Sequence, residues 1–452
     1  MLVREWKRNM KQAKDQALGE SIIEMQKKYV MPCVEVWHDI LFVKGKGSKV
    51  YDSNGKEYLD CFGGVAVVNI GHCHPHVIEA VQKQLTELNH LSTLYYTEYM
   101  PRLAKRLSEI SPIDGNNVKK SFFCNGGTEA NEHAVTLAKK ATGKSEMLSM
   151  QCGFYGRGGI TMGLTGLGAW RSGLGPFTPG IYHVPSYYCY RCPMGQKECP
   201  PKCGYACANY IKTVLKTETT KHVCCFVAEA VLGVGGCIPA PKDYFKIVKE
   251  ILKTEDIPLI IDEVQSGMGR TGKMFGIENY GVEPEIITMA KGLGGGILPI
   301  GAVVAKSELA DKHLGPDFST FGGNALSCVA ALANLEVIEK EKLAPNAKRV
   351  GDYIVKRLKE VESKSKIVDA VEGLGLMVGM EVVTNKQSKE PNNDAVAKIL
   401  DKMAQKGVLI GRGGLYYNRL RFEPPLCITV EEAEKAITTL EGVLREVELG
   451  GK

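Results

Sequence analysis

Two short apolar runs constrain this chain more than anything else in it. Leu259-Ile260-Ile261 ends in paired acids, Asp262 and Glu263, and Ile286-Ile287-Thr288-Met289-Ala290 ends in Lys291 and a glycine-rich turn, Gly292 to Gly296. Unbroken apolar runs of this length suit strands buried on both faces, with their polar work at the carboxyl end. A lysine at such an end has apolar neighbours, and desolvation disfavours its ammonium form and leaves a nucleophilic amine. A lone lysine in that place reads as the solvated start of a loop. An acid ending one core strand and a lysine ending another read differently. An aldehyde cofactor with a basic ring nitrogen needs both, the amine to form an imine and the carboxylate to keep the pyridinium protonated.

Three motifs in fixed order carry a resemblance. Asp262-Glu-Val-Gln265-Ser-Gly-Met-Gly-Arg-Thr-Gly272, Ala290-Lys291-Gly-Leu-Gly-Gly-Gly296 and Ser319-Thr320-Phe-Gly-Gly-Asn324 together resemble the signature of class III pyridoxal-phosphate aminotransferases. That family includes 4-aminobutyrate, ornithine, acetylornithine and type 2 alanine–glyoxylate aminotransferases. The resemblance runs from about residue 35 to the C-terminus. It implies an α/β chain of fold type I, with a mostly parallel seven-stranded sheet flanked by helices in a large domain and a smaller α+β domain. The expected division is an N-terminal segment over 1–70 packing with the small domain, a cofactor-binding domain over 71–335, and the small domain over 336–452.

Bulk properties agree with a soluble enzyme. A length of 452 residues suits two or three domains, and 44% hydrophobic with 24% charged residues is ordinary. The net charge of +6 can favour acidic substrates but is too small and diffuse for nucleic acid. No apolar run approaches a membrane span, and the mixed-charge N-terminus lacks the apolar core of a signal peptide. These features predict a cytoplasmic protein, where 15 cysteines would stay reduced. Residues 1–30 place apolar residues at helical spacing, which predicts an amphipathic helix lying on the main body.

Further along, Asn54-Gly55 predicts a hairpin turn. His72, His74 and His76 alternate like metal ligands, but they lie in a Gly/Pro-broken connection before a helix, and no metal is expected there. Ser121-Phe-Phe-Cys-Asn-Gly126-Gly127-Thr128 reads as a strand meeting a small-residue turn that opens a helix. A helix N-terminus with unpaired N–H groups holds phosphate well, glycines allow close approach, and Thr128 adds a donor. The five cysteines Cys189, Cys192, Cys199, Cys203 and Cys207 match no standard zinc finger. A metal, a cysteine-lined packed loop and a redox pair all stay open for them.

The resemblance assigns roles. It implies pyridoxal 5'-phosphate held as an aldimine by Lys291, with Asp262 on the ring nitrogen, Gln265 on the ring hydroxyl and Phe154 stacked on the ring. Tyr155 falls beside it, where relatives often have histidine or tryptophan. Gly126, Gly127 and Thr128 would hold the phosphate, although the family usually has a hydroxyl residue in place of Gly126. Ser319 and Thr320 imply reach to the phosphate of a neighbouring subunit, hence a homodimer with sites at the interface. Val65 borders the substrate pocket, Arg157 meets a substrate carboxylate in some relatives, and Arg421 aligns with the carboxylate-binding arginine. Glu229 ends another core strand. By analogy with relatives it would pair with Arg421 whenever no carboxylate is bound. The expected reaction moves an amino group from an ω- or β-amino donor to a 2-oxo acid, 2-oxoglutarate or pyruvate. The rival on the same scaffold is a decarboxylase or aminomutase.

Overall fold

Strand β7 (Val223–Glu229) is buried along all seven residues, and so are all four of β10 (Leu259–Asp262) and all four of β11 (Ile286–Met289). The computed structural model describes residues 21–113 and 118–450. The three strands form the middle of a seven-stranded sheet. With β4 (Lys119–Cys124), β5 (Glu146–Met150), β6 (Ile181–Val184) and β12 (Gly301–Lys306), its order is β4-β12-β11-β10-β7-β5-β6. The pairs from β11 to β6 are parallel, and β12 runs antiparallel to both its neighbours. The sheet is therefore mixed and mostly parallel. Parallel strands need covering helices on both faces, which explains runs with no polar alternation. One cover is the helix Gly127–Thr142, whose Ala134, Val135 and Ala138 pack in one apolar cluster with Val227, Ile260 and Ile286.

Register places the chemistry. Asp262 stands beside Glu229 on one side and Thr288 on the other, so the carboxyl ends of β7, β10 and β11 lie level. Lys291 follows two residues after β11. Open α/β sheets bind ligands in the crevice beyond these ends.

Three smaller sheets complete the fold among the described residues, one of them the antiparallel pair β8 (Val231–Leu232) and β9 (Ile238–Pro239). β1 (Phe42–Lys46), β2 (Lys49–Asp52) and β3 (Glu57–Asp60) form a meander that takes β15 (Val408–Leu409) as a fourth, parallel strand. The β2–β3 hairpin turns at Gly55, with φ +83°, while Asp52 Oδ1 accepts the amides of Asn54 and Lys56. The helices Ala325–Lys340 and Leu343–Lys364 lead to an antiparallel sheet of β13 (Val368–Leu374), β14 (Met377–Val382), β17 (Arg419–Phe422) and β16 (Gly411–Gly413). The helix Ala325–Lys340 starts where Asn324 accepts the Ser327 amide.

The expected N-terminal helix falls mostly outside the described residues. Its described part, Ile22–Tyr29, has a capping box at Ser21 and no fully buried residue, with Ile23 and Met25 partly covered and Lys27 paired with Asp39 at 2.9 Å.

Candidate active site

The ends of β7, β10 and β11 open on a dry polar cluster. Asp262 Oδ2 accepts from Asn131 Nδ2 at 2.6 Å and Oδ1 accepts from the Val264 amide at 2.8 Å. Asn131 is fixed in turn, since its Nδ2 also donates to the Tyr155 carbonyl and its Oδ1 accepts from Thr288 at 2.7 Å. Burial pushes the Asp262 carboxyl up to about 6, against the pull of Asn131, the Val264 amide and Lys291. Burial acts oppositely on the Lys291 amine and lowers it to about 8, against the upward pull of Glu423 and Asp262. The backbone of Lys291 sits at φ +42°, a left-handed conformation costly for a side-chain-bearing residue and characteristic of functional sites.

Lys291 Nζ donates to Gln265 Oε1 at 2.8 Å when the amide is oriented so that Nε2 donates to Glu423 Oε1 at 3.1 Å. That orientation gives both amide atoms complementary partners. Glu423 then meets Arg421, with Nη2–Oε2 at 2.8 Å and both side chains almost wholly buried. Arg421 Nη1 donates to the Gly233 carbonyl at 3.0 Å, and the guanidinium lies over the Phe62 ring, 5.0 Å from its centroid.

This corrects one expectation. Glu229 does not pair with Arg421. Its Oε1 accepts the Phe154 amide and its Oε2 the Gly233 amide, both at 2.8 Å. It holds two loop turns together, and burial raises its carboxyl to about 8. The acid on the arginine is Glu423, two residues further along the same strand direction. Glu423 has no role assigned from the sequence alone. An i, i+2 spacing after a strand arginine was the available signal, because it puts both side chains on one face.

The strand, small-residue turn and helix start of the expected phosphate cradle, read from Ser121 to Thr128, are present. The helix Gly127–Thr142 begins after an extended Gly126, and no side chain caps it. Its first N–H groups therefore have no side-chain partner. A Cβ on Gly127 would stand 2.9 Å from a Val264 methyl, so only glycine lets the helix start this close to the end of β10. Thr128 Oγ1 accepts the Arg157 amide at 3.4 Å. Arg157 itself is exposed and is not gathered into the polar cluster. Phe154 is half-buried and meets Trp170 edge-on at 5.0 Å. Tyr155 departs from its expected place: its ring lies in the apolar core beside Ala134, Leu164 and Val227. What it offers the site is its carbonyl, through Asn131. Ser319 Oγ accepts from Asn125 Nδ2 at 3.0 Å, tying its loop to the cradle, and Thr320 is exposed.

Val65 lies in a single left-handed turn: Gly63, Gly64, Val65 and Ala66 have φ of +55°, +62°, +66° and +57°. A β-branched residue there is strained. Asp60 holds the turn by accepting the Phe62 and Gly63 amides, and His72 Nε2 braces its other oxygen at 2.8 Å. His74 and His76 each meet a different acid, Glu341 and Glu336.

The cysteine-rich stretch is bolted to its surroundings by two tyrosines and an arginine. Tyr187 donates to the Glu229 carbonyl at 2.8 Å, Tyr188 accepts from Arg419 at 3.2 Å, and Arg191 pairs with Glu381 at 2.8 Å. Cys189, Cys192, Cys203 and Cys207 line a cavity of about 10 Å³, and Cys199 is exposed. Among the described residues, no three of these thiols gather closely enough for a metal; only His133, His313 and Asp317 do.

Comparison with known proteins gives the family. The model of the family "Aminotransferase class-III" matches residues 32–444. The acetylornithine aminotransferase of Methanocaldococcus jannaschii is 40% identical over 435 residues, covering 95% of this chain and 99% of that one. The leucine/methionine racemase of Thermococcus litoralis is 37% identical over 436 residues, covering 95% and 96%. A crystal structure of a Bacillus anthracis aminotransferase superposes with a TM-score of 0.88 at 33% identity, covering 96% of this chain and 99% of that one. The fold and site thus define a pyridoxal-phosphate-dependent enzyme of the aminotransferase type. The chain belongs to the class III aminotransferases and uses amine and 2-oxo acid substrates. Its residues suit the cofactor: a helix start without a side-chain cap for the phosphate, a buried acid for the ring nitrogen, and a buried amine of lowered basicity for the aldehyde.

Proposed function

We propose that this enzyme moves the amino group of an ω- or β-amino donor to 2-oxoglutarate or pyruvate, with Lys291 as the nucleophilic amine and proton carrier. The observation that carries the reading is the pairing of two buried groups of opposite type, Lys291 and Asp262, at level strand ends. The cofactor, when bound, supplies an electron sink for the carbon that loses its proton. Asp262, oriented by Asn131 and Val264, holds a proton on the ring nitrogen. With the cofactor bound, the Lys291 amine would carry a proton from the donor's reacting carbon to the cofactor's aldehyde-derived carbon, and from there to the acceptor's carbon in the second half-reaction. Its lowered basicity keeps it neutral often enough near pH 8 to do so. Gln265 orients that amine, and Gly127, Thr128 and the helix start anchor the phosphate. Phe154 backs the ring, and Val65 narrows the entrance. Arg421 receives the acceptor's carboxylate as a two-point fork.

A homodimer completes the reading. Leu94, Tyr95, Tyr96, Leu314, Phe318 and Phe321 are large, apolar and exposed, and several such residues near Ser319 and Thr320 suit a subunit contact beside the cradle. The loop bearing Thr320 would then serve the phosphate of the neighbouring site.

The test is a screen of amine donors against pyruvate and 2-oxoglutarate, following the new amino acid and the carbonyl product together. Stoichiometric formation of both supports amino transfer. The Thermococcus relative's name raises racemisation as a second reading, in which optical rotation is lost while no 2-oxo acid is consumed. Release of carbon dioxide would instead select a decarboxylase.

A further inference from the structure

Away from Lys291 and Asp262, three metal-ligating side chains converge on one point. His133 Nδ1 stands 3.1 Å from Asp317 Oδ2, and His313 Nε2 stands 2.9 Å from the same oxygen. One ligand atom from each of the three lies within 4.8 Å of the other two. They come from separate parts of the chain. His133 belongs to the helix Gly127–Thr142, and His313 and Asp317 to the loop after the short helix Ser307–Ala310. The rings are already held in place. Phe122 of β4 stacks on His133, with centroids 3.6 Å apart and planes 3° from parallel, and the His313 ring centroid is 5.0 Å from that of His133. Both imidazoles are 10% exposed in their side chains and Asp317 is 32% exposed. His313 Nδ1 is buried with no partner among the described residues, so the polar contact that offsets the burial of this ring lies on its other nitrogen, in the cluster.

We propose that His133, His313 and Asp317 form a zinc site that fastens the loop carrying Ser319 and Thr320 to the helix that opens the phosphate cradle. Two imidazole nitrogens and a carboxylate oxygen are zinc ligands by type, whereas calcium and magnesium take oxygen ligands. Zinc bonds of about 2.0 to 2.1 Å in a tetrahedron put neighbouring ligand atoms about 3.3 Å apart. The two edges at Asp317 are 2.9 and 3.1 Å, so an outward shift of a few tenths of an ångström, roughly the gap to that ideal edge, admits the ion. The exposed side of Asp317 leaves the fourth position to water. The fastening has a structural use. Lys120 of β4 pairs with Asp311 at the start of the loop, and Ser319 accepts from Asn125 at its end. Between these two ties, an ion on His313 and Asp317 holds the middle of the loop to His133, two residues before Ser319. The proposal is independent of the amino-transfer reading.

The test strips cofactor-loaded protein of metal and titrates it with Zn²⁺ alone against a chromophoric competitor. Wild type should take up one ion per chain. Asp317→Asn and His313→Gln should each weaken that uptake by more than about a hundredfold, beyond the cost of losing an outer partner of a ligand. Asp317 is exposed enough for its variant to fold even where His313→Gln does not. The variant with Cys192, Cys203 and Cys207 all changed to serine should bind as wild type does. Co²⁺ in place of Zn²⁺ should give the visible bands of a tetrahedral nitrogen and oxygen site and no near-ultraviolet thiolate charge-transfer band. Hydrogen exchange reads the fastening: amides of residues 311–320 should exchange faster in metal-free wild type than in the zinc form, and at one rate with or without zinc in Asp317→Asn. Absence of stoichiometric uptake, uptake unchanged in Asp317→Asn, or a cobalt thiolate band that the serine variant abolishes would overturn the site. Exchange in the loop that ignores zinc in wild type would overturn the fastening.

Discussion

Lys291 and Asp262 are moved toward neutrality by the same dry surroundings, the amine down to about 8 and the carboxyl up to about 6. Each wants a partner of opposite demand, and a protonated ring nitrogen and an aldehyde supply those partners. The sign for Lys291 is direct: its neutral, nucleophilic fraction grows as pH rises through its folded value. Capture of the aldehyde by cofactor-free protein should therefore accelerate up to about pH 8 and level off above it. An unperturbed amine would keep accelerating toward pH 10 or so. Stopped-flow absorbance across pH 6 to 10 or so reads this, and a rate still climbing through pH 9.5 or so would contradict the lowered value. Asp262→Asn should leave the cofactor bound and lower kcat on the order of a hundredfold, as expected when a charge aimed at the developing electron sink is lost. Both residues were readable from sequence because an acid ending one apolar run and a lysine ending the next mean together what neither means alone. Glu423 was not. An acid in Arg419-Leu420-Arg421-Phe422-Glu423 gives no hint that it is wholly buried. Glu229, also ending a core strand, was given the arginine in its place.

The helix Gly127–Thr142 and the loop after β10 meet so closely that one methyl group decides their spacing. Gly127→Ala would drive a Cβ against both Val264 methyls, at 2.9 and 3.0 Å. The helix start must then withdraw from the cradle, and cofactor affinity should fall by about tenfold, equivalent to roughly 1.4 kcal/mol. Adding Val264→Ala opens the space again and should restore most of the affinity. Titration of the cofactor by fluorescence quenching distinguishes this from a general loss of stability, because a simple packing defect would not be repaired by removing yet more side chain. At this scale the sequence was informative about strands, hairpin and phosphate turn, since each has a local signature in apolar runs, Asn-Gly or small residues. The left-handed turn from Gly63 to Ala66 had no such signature. Two of its four residues, Val65 and Ala66, are ones that avoid positive φ, and the turn is held by Asp60 rather than by propensity. The aromatic bolts Tyr187 and Tyr188 were hidden for a similar reason: their partners, Glu229 and Arg419, are 42 and 231 residues away in sequence.

Across the whole molecule, the sheet order brings β4 and its cradle beside β12, while the loop that follows β12 carries Ser319 and Thr320 along the outside. Ser319 is tied back to Asn125 within its own chain, yet Thr320 is left exposed next to Phe318 and Phe321. If Thr320 serves the neighbouring subunit's cradle, each site draws Lys291 from one chain and Thr320 from the other. Two defective homodimers can then repair each other. Lys291→Ala lacks the amine in both of its sites, and Thr320→Ala weakens phosphate retention in both of its own. In a mixed dimer, the chain with intact Lys291 receives an intact Thr320 from its partner, while the other site carries both defects. Mixing the two variants under conditions that exchange subunits should therefore raise cofactor affinity and activity above either parent, toward half of the wild-type site count in each mixed dimer. If Thr320 instead acts within its own chain, no combination of these subunits contains an intact site. Activity per mixed dimer would then be about half that of the unmixed Thr320→Ala protein, because only one of its two sites keeps Lys291. Differently tagged chains, purified sequentially so that only mixed dimers remain, make the two outcomes separable without reference to how fast subunits exchange.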